Sequence, residues 1–187
     1  MSKIDPAKVL PQIHHREIVA RSRLFKVERL DLEFSNGATR QFERMAGTSH
    51  GAVMIVPMLD DDTMILVREY AAGNHSYQLG FPKGLIDPGE NAVQAANREL
   101  QEEAGYAAND LQEIHKVNMA PNFFNSEMRI VVARDLYPQQ LEGDEPEPLE
   151  VVKWKMSDAA SLLTRDDFIE ARCIAALFLA QQWLKER

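Results

Sequence analysis

Between Gly73 and Gly89 the chain carries Gly73, Gly80, Pro82, Gly84, Pro88 and Gly89 within 17 residues, and a helix-like run follows at once. Proline removes a backbone donor and glycine is costly to hold in a regular element, so this density of breakers excludes helix and predicts a shaped, backbone-rich loop. From about Asn91 to Ala104 the pattern changes: Val93, Ala96, Leu100 and Ala104 recur on one stripe, and Gly105 stands where helices end in a left-handed residue. A rigid loop must therefore deliver its backbone to one end of a helix, and the rest of the fold has to support that junction.

The remaining elements are mostly strands. Leu30, Leu32 and Phe34 alternate with Asp31 and Glu33, and Ser35-Asn36-Gly37 turns the chain into Ala38–Met45, which predicts an antiparallel β-ribbon. A second strand pair is expected from the apolar run Ala52–Leu59, a turn at Asp60-Asp61-Asp62 and a return over Thr63–Val67 that ends in Arg68-Glu69-Tyr70. Val117–Met119 and Met128–Ala133 read as strands around a turn-rich Pro121–Ser126, and the acidic, proline-rich Leu141–Glu150 reads as a loop into a short strand, Val151–Trp154. A helical segment near Ser157–Leu163 precedes a longer helix, about Asp167 to Lys185, with Ile169, Cys173, Ala176, Leu177, Ala180, Trp183 and Leu184 at helical spacing. The first 16 residues, interrupted by Pro6 and Pro11, read as a loose tail. Hairpin-linked strands mixed with two or three helices give an α+β or mixed α/β sandwich, and with no G-x-G-x-x-G after a strand a Rossmann-type dinucleotide fold is not supported.

At 187 residues and 45% hydrophobic content, one domain, or one domain with a small appendage, can bury an ordinary core without staples. Cys173 is the one cysteine, so no disulfide forms within the chain. The longest apolar runs, Ala52–Leu59 and Ile174–Ala180, fall far short of the ~20 residues of a membrane span. The N-terminal residues lack the apolar stretch of a signal peptide, so a cytoplasmic location is expected. A formal net charge of −8 and the lack of a basic stripe argue against nucleic-acid polymers and anionic membranes as partners, while leaving room for a small anion that arrives with a divalent cation.

The acids have a place to meet such a cation. Glu99, Glu102 and Glu103 stand at i, i+3 and i+4, hence on one face of the helix. Like charges at that spacing cost a few tenths of a kcal/mol per pair, roughly, and the negative end of the helix dipole adds about 0.3–1 kcal/mol for each. No Lys or Arg follows in the last turn to neutralise them. A bound cation would reverse both penalties, and with oxygen donors only it would be hard: Mg²⁺, or Mn²⁺, rather than Zn²⁺.

These residues carry a resemblance. Gly84-Leu-Ile-Asp-Pro-Gly-Glu90, seven further residues, and Arg98-Glu99-Leu100-Gln101-Glu102-Glu103-Ala104-Gly105-Tyr106 match every fixed position of the Nudix box, G-x5-E-x7-R-E-U-x-E-E-x-G-U, where U is a bulky aliphatic or aromatic residue. The chain thus resembles the Nudix hydrolases, which cleave nucleoside diphosphates linked to another moiety. Further segments, among them Arg21–Phe25, Asp31–Gly37, Val53–Pro57, Arg68–Tyr70, Met119–Pro121 and Leu141–Leu149, extend the resemblance to the ADP-sugar pyrophosphatase branch. It departs at Gln78-Leu79-Gly80-Phe81-Pro82-Lys83, where ADP-ribose pyrophosphatases commonly read Glu-Leu-Pro-Ala.

The resemblance implies an α/β/α sandwich with a mixed sheet over residues 49–187 and, over residues 1–48, a tail and β-ribbon that joins two copies and covers the partner's substrate. It implies Mg²⁺ held by Glu99, Glu103, Glu102 and the Lys83 backbone carbonyl, with Arg98 and Glu90 bracing the helix, Gly84 admitting close backbone approach and Gly105 closing the box. The substrates implied are ADP-ribose, NADH and diadenosine polyphosphates, cleaved to AMP and a phosphorylated product. Glu102 is a further catalytic candidate. The base lies on the box helix or in the Leu141–Glu150 loop, where Glu145 and Glu147 stand near the middle among Glu142, Asp144 and Glu150. Arg44 and Arg68 suit phosphate or ribose, because guanidinium offers paired donors. Tyr70, Phe123 and Phe124 offer rings for a base to stack on. A GDP-mannose pyrophosphatase and a nucleotide-binding regulator without catalysis are the alternatives, and the complete acid set favours an enzyme.

Overall fold

A computed structural model describes residues 9–47 and 50–187. In chain order its elements are β1 (Gln12–Arg21), β2 (Lys26–Glu33), β3 (Thr39–Ala46), β4 (Ala52–Pro57), β5 (Thr63–Ala71), β6 (Ser76–Gly80), β7 (Lys83–Leu85), α1 (Ala92–Ala104), β8 (Tyr106–Val117), β9 (Phe124–Asn125), β10 (Met128–Pro138), β11 (Glu150–Lys155), a 3-10 turn (Met156–Asp158), α2 (Ala159–Leu162) and α3 (Ala171–Lys185). The chain divides into two units, one from Met1–Ser49 with Asn118–Ser126 and one from His50–Val117 with Glu127–Arg187.

In the first unit, β1, β2 and β3 form an antiparallel meander, and β9 adds a short parallel rung beside β3. The Asn-Gly turn forms as expected, with Gly37 at φ 80° and Phe34 N–H donating to the Ala38 carbonyl at 2.9 Å. The expected tail needs correction. Pro6 lies outside the described residues, but from Gln12 onward the chain is strand β1, paired with β2. All ten residues of β1 are exposed, so it has no buried face to leave a hydrophobic alternation in the sequence.

The second unit holds two sheets, β7-β4-β10-β8 and β11-β5-β6, and here the expected second strand pair also fails. β4 and β5 meet only at their shared turn, through a Met58–Met64 bridge and a Leu59 N–H to Thr63 carbonyl bond of 2.7 Å. Beyond it they part into different sheets, because both are apolar on both faces and each fills a central position. Met54, Val56, Met64 and Leu66 point into one core, shared with Cys173, Ala176, Leu177 and Ala180 of α3. Val53, Ile55, Ile65 and Val67 point into a second core, shared with Ala92, Ala95, Ala96, Leu100 and Ala104 of α1. The fold is thus the mixed α+β sandwich expected, with helices over two cores. Each buried aliphatic side chain contributes roughly 1.5–3 kcal/mol relative to exposure.

Several boundaries move. The glycine- and proline-rich stretch contains two short strands: β6 at one sheet edge and β7 at another, separated by Phe81 and Pro82. The strand expected at Val117–Met119 is the end of the long β8, whose Ala107-Ala108-Asn109-Asp110 has weak strand propensity and is held by antiparallel pairing to β10. On α1, Val93 is exposed and alanines supply the buried face. The last helix begins at Ala171, not Asp167, and Ile169 precedes it, 53% exposed.

The reason for the later start is visible in the residues that precede α3. The Asp167 carbonyl accepts from Leu79 N–H at 2.7 Å, and its carboxylate accepts from Arg165 Nε at 2.7 Å and from Arg68 at 2.5 Å. Arg165, aided by Arg68, holds the Asp167 carboxyl well below the usual carboxylate range. Its folded pKa is depressed, so the stabilisation is present above the unfolded value and is lost as pH falls through and below about 4. Asp167→Asn is expected to flatten the fall in melting temperature between about pH 5 and pH 2, measured by thermal unfolding. An unchanged acid slope would remove Asp167 from the balance.

Candidate functional site

Helix α1 is fixed at both ends by its own sequence. Asn91 Oδ1 accepts from Gln94 N–H at 2.9 Å while Gln94 Oε1 accepts from Asn91 N–H at 2.9 Å, a reciprocal capping pair. At the other end Gly105 takes a left-handed conformation, φ 73°, and its N–H reaches the Leu100 carbonyl. With α1 clamped on the second core through Leu100 and Ala96, its acidic face looks into a cavity of about 650 Å³.

That cavity is lined by Glu99, Glu102 and Glu103 of α1, by Glu69 of β5, by Lys83 and Gly84 of β7, by Arg98, and by Glu142–Glu145 of the acidic loop. Glu99 and Glu103 are buried at 8% and 7% exposure, which a carboxylate tolerates only with a partner. Arg98 supplies part of it. Its Nε and one terminal nitrogen clasp Glu90 at 2.9 and 3.0 Å, the other donates to Glu99 at 2.7 Å and Glu102 at 2.9 Å, and the Leu85 carbonyl accepts at 2.9 Å. Glu103 accepts from the Lys83 backbone N–H at 3.1 Å, and the Lys83 ammonium is paired with Glu69.

The electrostatics reflect a surplus of acid. Burial pushes the Glu103 carboxyl up to about 8 against the pull of the nearby Lys83 ammonium. Burial also raises Glu99, opposed by Arg98 and reinforced by the charges of Glu102 and Glu145. Among the described residues no three His, Cys, Asp or Glu side chains stand close enough to hold a metal ion as they are placed. Arg98 stands between Glu99 and Glu102 and takes one oxygen of each. The donor set still fits a hard cation: it is all oxygen, two of its carboxylates are buried, and a methyl group at Gly84 would overlap the Glu99 carboxylate. That position requires glycine for space, not for its dihedral angles.

Of the residues singled out in the sequence, Lys83, Gly84, Arg98, Glu99, Glu102, Glu103 and Glu145 come together around this cavity, with Glu90 behind Arg98 and Gly105 ending the helix. Glu147 does not line it. It accepts instead from the Tyr77 hydroxyl at 2.5 Å. Tyr70 lines a neighbouring cavity of about 300 Å³, with Leu79, Ile169 and Cys173, that shares Glu69 and Lys83 with the acidic one. Cys173 is buried there, donating to Glu170 at 3.1 Å, and burial pushes its thiol up to about 12. Arg68 lines neither cavity, being taken by Glu150 and Asp167. In the first unit, Arg44 pairs with Glu28 at 2.7 Å and Phe123 is exposed. The sequence reading missed Glu69 and the Lys83 side chain. Glu69 stands just before the breaker-rich stretch and Lys83 inside it, between Pro82 and Gly84, and that stretch was the available signal.

Comparison with known proteins matches residues 48–177 to the NUDIX domain and residues 11–44 to the NudE-type Nudix hydrolase N-terminal domain. The ADP compounds hydrolase NudE of Escherichia coli is 60% identical over 94% of both chains. An ADP-sugar pyrophosphatase of Mus musculus is 31% identical over 89% of this chain and 81% of its own length. A crystal structure of an ADP compounds hydrolase superposes with a TM-score of 0.90 at 58% identity, covering 97% of this chain and 98% of that one.

The raised Glu103 gives a prediction. Its folded pKa lies above the unfolded value, so the metal-free protein binds an extra proton between about pH 4.5 and 8 and loses stability as pH rises through that window. Glu103→Gln is expected to be more stable than the parent in EDTA at pH 8, and equal to it near pH 5, by thermal unfolding. A parent curve that does not fall relative to the variant would contradict the burial argument.

Proposed function

The chain is a member of the Nudix hydrolase family, and from that premise we propose that it cleaves the pyrophosphate bond of ADP-linked compounds, ADP-ribose, NADH and diadenosine polyphosphates, giving AMP and a phosphorylated product. It is a pyrophosphohydrolase. The observation that carries the substrate class is the 60% identity, over nearly the whole of both chains, to a protein named for hydrolysing ADP compounds. A regulator without catalysis would have no need of three mutually repelling acids on one helix face.

In this reading Glu99, Glu103 and Glu102, with the Lys83 carbonyl, hold Mg²⁺, or Mn²⁺ in its place. Bound there, the ion neutralises diphosphate charge and lowers the pKa of a water. The chain does the rest. Arg98 keeps Glu99 and Glu102 oriented, and Glu145, on the loop bordering the cavity, takes the proton of the attacking water at its carboxylate. Tyr70 contributes to substrate binding from the neighbouring cavity, with Arg44 and Phe123 as further contacts; Arg68, held by two carboxylates, is given a stabilising role instead. The protein would act in the cytoplasm as a homodimer joined and covered by residues 1–48, with residues 49–187 catalytic. Ile18, Val19, Phe25 and Phe42, exposed on or beside the ribbon strands, supply apolar surface for the joint.

Incubation with Mg²⁺ and ADP-ribose, NADH, diadenosine triphosphate or GDP-mannose, with the products separated, is expected to yield AMP from the adenylate substrates. No product from any of the four would sink the enzyme reading, and preference for GDP-mannose would move the substrate class. Glu145→Gln is expected to lower kcat by about 10²–10⁴-fold, the range for loss of a general base; a rate within threefold of the parent would remove Glu145 from that role.

A further inference from the structure

The acidic loop is held at both ends. Upstream, Gln140 Nε2 donates to the Glu102 carbonyl at 3.0 Å and Leu141 N–H to the Gln101 carbonyl at 3.3 Å, tying the loop to the last turn of α1. Downstream, Leu149 packs on the second core and Glu150 accepts from Arg68 at 2.8 Å. Between these anchors, from Glu142 to Pro148, the hydrogen bond from Tyr77 to Glu147 is the one side-chain hydrogen bond to the loop among the described residues.

Tyr77 is well placed to hold something. It sits on β6 directly opposite Tyr70 of β5, with ring centres 5.8 Å apart and planes at 66°. Tyr70 is itself fixed by a 2.7 Å hydrogen bond with His75. The phenol is therefore attached to a sheet edge, not to another loop. At its far end the loop is stiff: Pro146 and Pro148 fix φ, and Glu145 and Glu147, each preceding a proline, are biased to extended backbone. Restraining Glu147 restrains Glu145, two residues away. Glu145 is where a small displacement matters, since it lines the carboxylate cavity, where a methyl group at Gly143 would overlap the Glu145 carboxylate and touch Glu102.

We propose that Tyr77 is a positioning residue for the hydrolysis: its hydrogen bond to Glu147 latches the acidic loop to β6 and so keeps Glu145 over the carboxylate cavity. The proposal rests on the reading of Glu145 as the base. It gives Glu147 the part of a catch.

The test uses the full-length protein with Mg²⁺ and ADP-ribose. Tyr77→Phe keeps the ring and loses only the donor; kcat is expected to fall about tenfold with KM unchanged within twofold, because misplacement of a reacting group affects the chemical step more than binding. Glu147→Ala should fall equally, Glu147→Gln, which still offers the phenol an acceptor, should recover most of that loss, and the double variant Tyr77→Phe/Glu147→Ala should be no slower than either single change. Losses that multiply, a Glu147→Gln variant as slow as Glu145→Gln, or a full kcat in Tyr77→Phe where Glu145→Gln is itself slow would each overturn the latch. Amide hydrogen exchange over residues 142–147 gives a readout that does not depend on the chemistry. Faster exchange in Tyr77→Phe is expected even if Glu145 proves not to be the base, and unchanged exchange overturns the latch whatever the rates.

Discussion

The interaction on which the site depends is the fan of hydrogen bonds from Arg98. One guanidinium joins Glu90 and the Leu85 carbonyl of the incoming loop to Glu99 and Glu102 of the helix, so the loop and the helix cannot shift independently. Five rigid donors in a plane make this possible; a lysine could neutralise the same charge but could not fix so many directions. Without it, three acids at the negative end of a helix would repel one another and the helix dipole. The same fan keeps the buried Glu99 paired, while Glu103, outside its reach, accepts from the Lys83 backbone N–H instead.

Around that hub, the two cores divide the labour. Alternate residues of β4 and β5 serve α3 on one side and α1 on the other, so the helix bearing the acids rests on an apolar platform made by strands that are themselves buried on both faces. Against that platform α1 sets small residues, chiefly alanines, which lets the helix lie close to the sheet. The cavity forms where the platform ends and β7 turns in under the carboxylates.

Much of this was legible in the sequence where chemistry imposes fixed spacing. Arg98, Glu99, Glu102 and Glu103 share a helix face by arithmetic alone, and Asn91 and Gly105 mark its ends through capping preferences. The Asn-Gly ribbon was legible for the same local reason. What could not be read was the outcome of pairing over distance. Two continuous apolar runs carry no face information, so β4 and β5 looked like a hairpin although they belong to different sheets. β8 was hidden by alanines and polar residues that only β10 makes into a strand, and β1 by its complete exposure. Glu69, Lys83 and Tyr77 acquire their neighbours from sheet register, a property that no local pattern encodes.

The parallel pairing of β4 with β10 has a kinetic corollary. Met128 stands beside Ala52 and Ala133 beside Pro57, so the central rung of the first sheet closes a loop of roughly 75 residues, whose entropy must be met before the contact returns any stabilisation. All of α1 and β5–β8 lies inside that loop. A nascent chain released short of β10 therefore has the whole carboxylate motif in its sequence but lacks the strand that supports it, and assembly of the acidic cavity is expected to be a late event in a slow, topology-limited search.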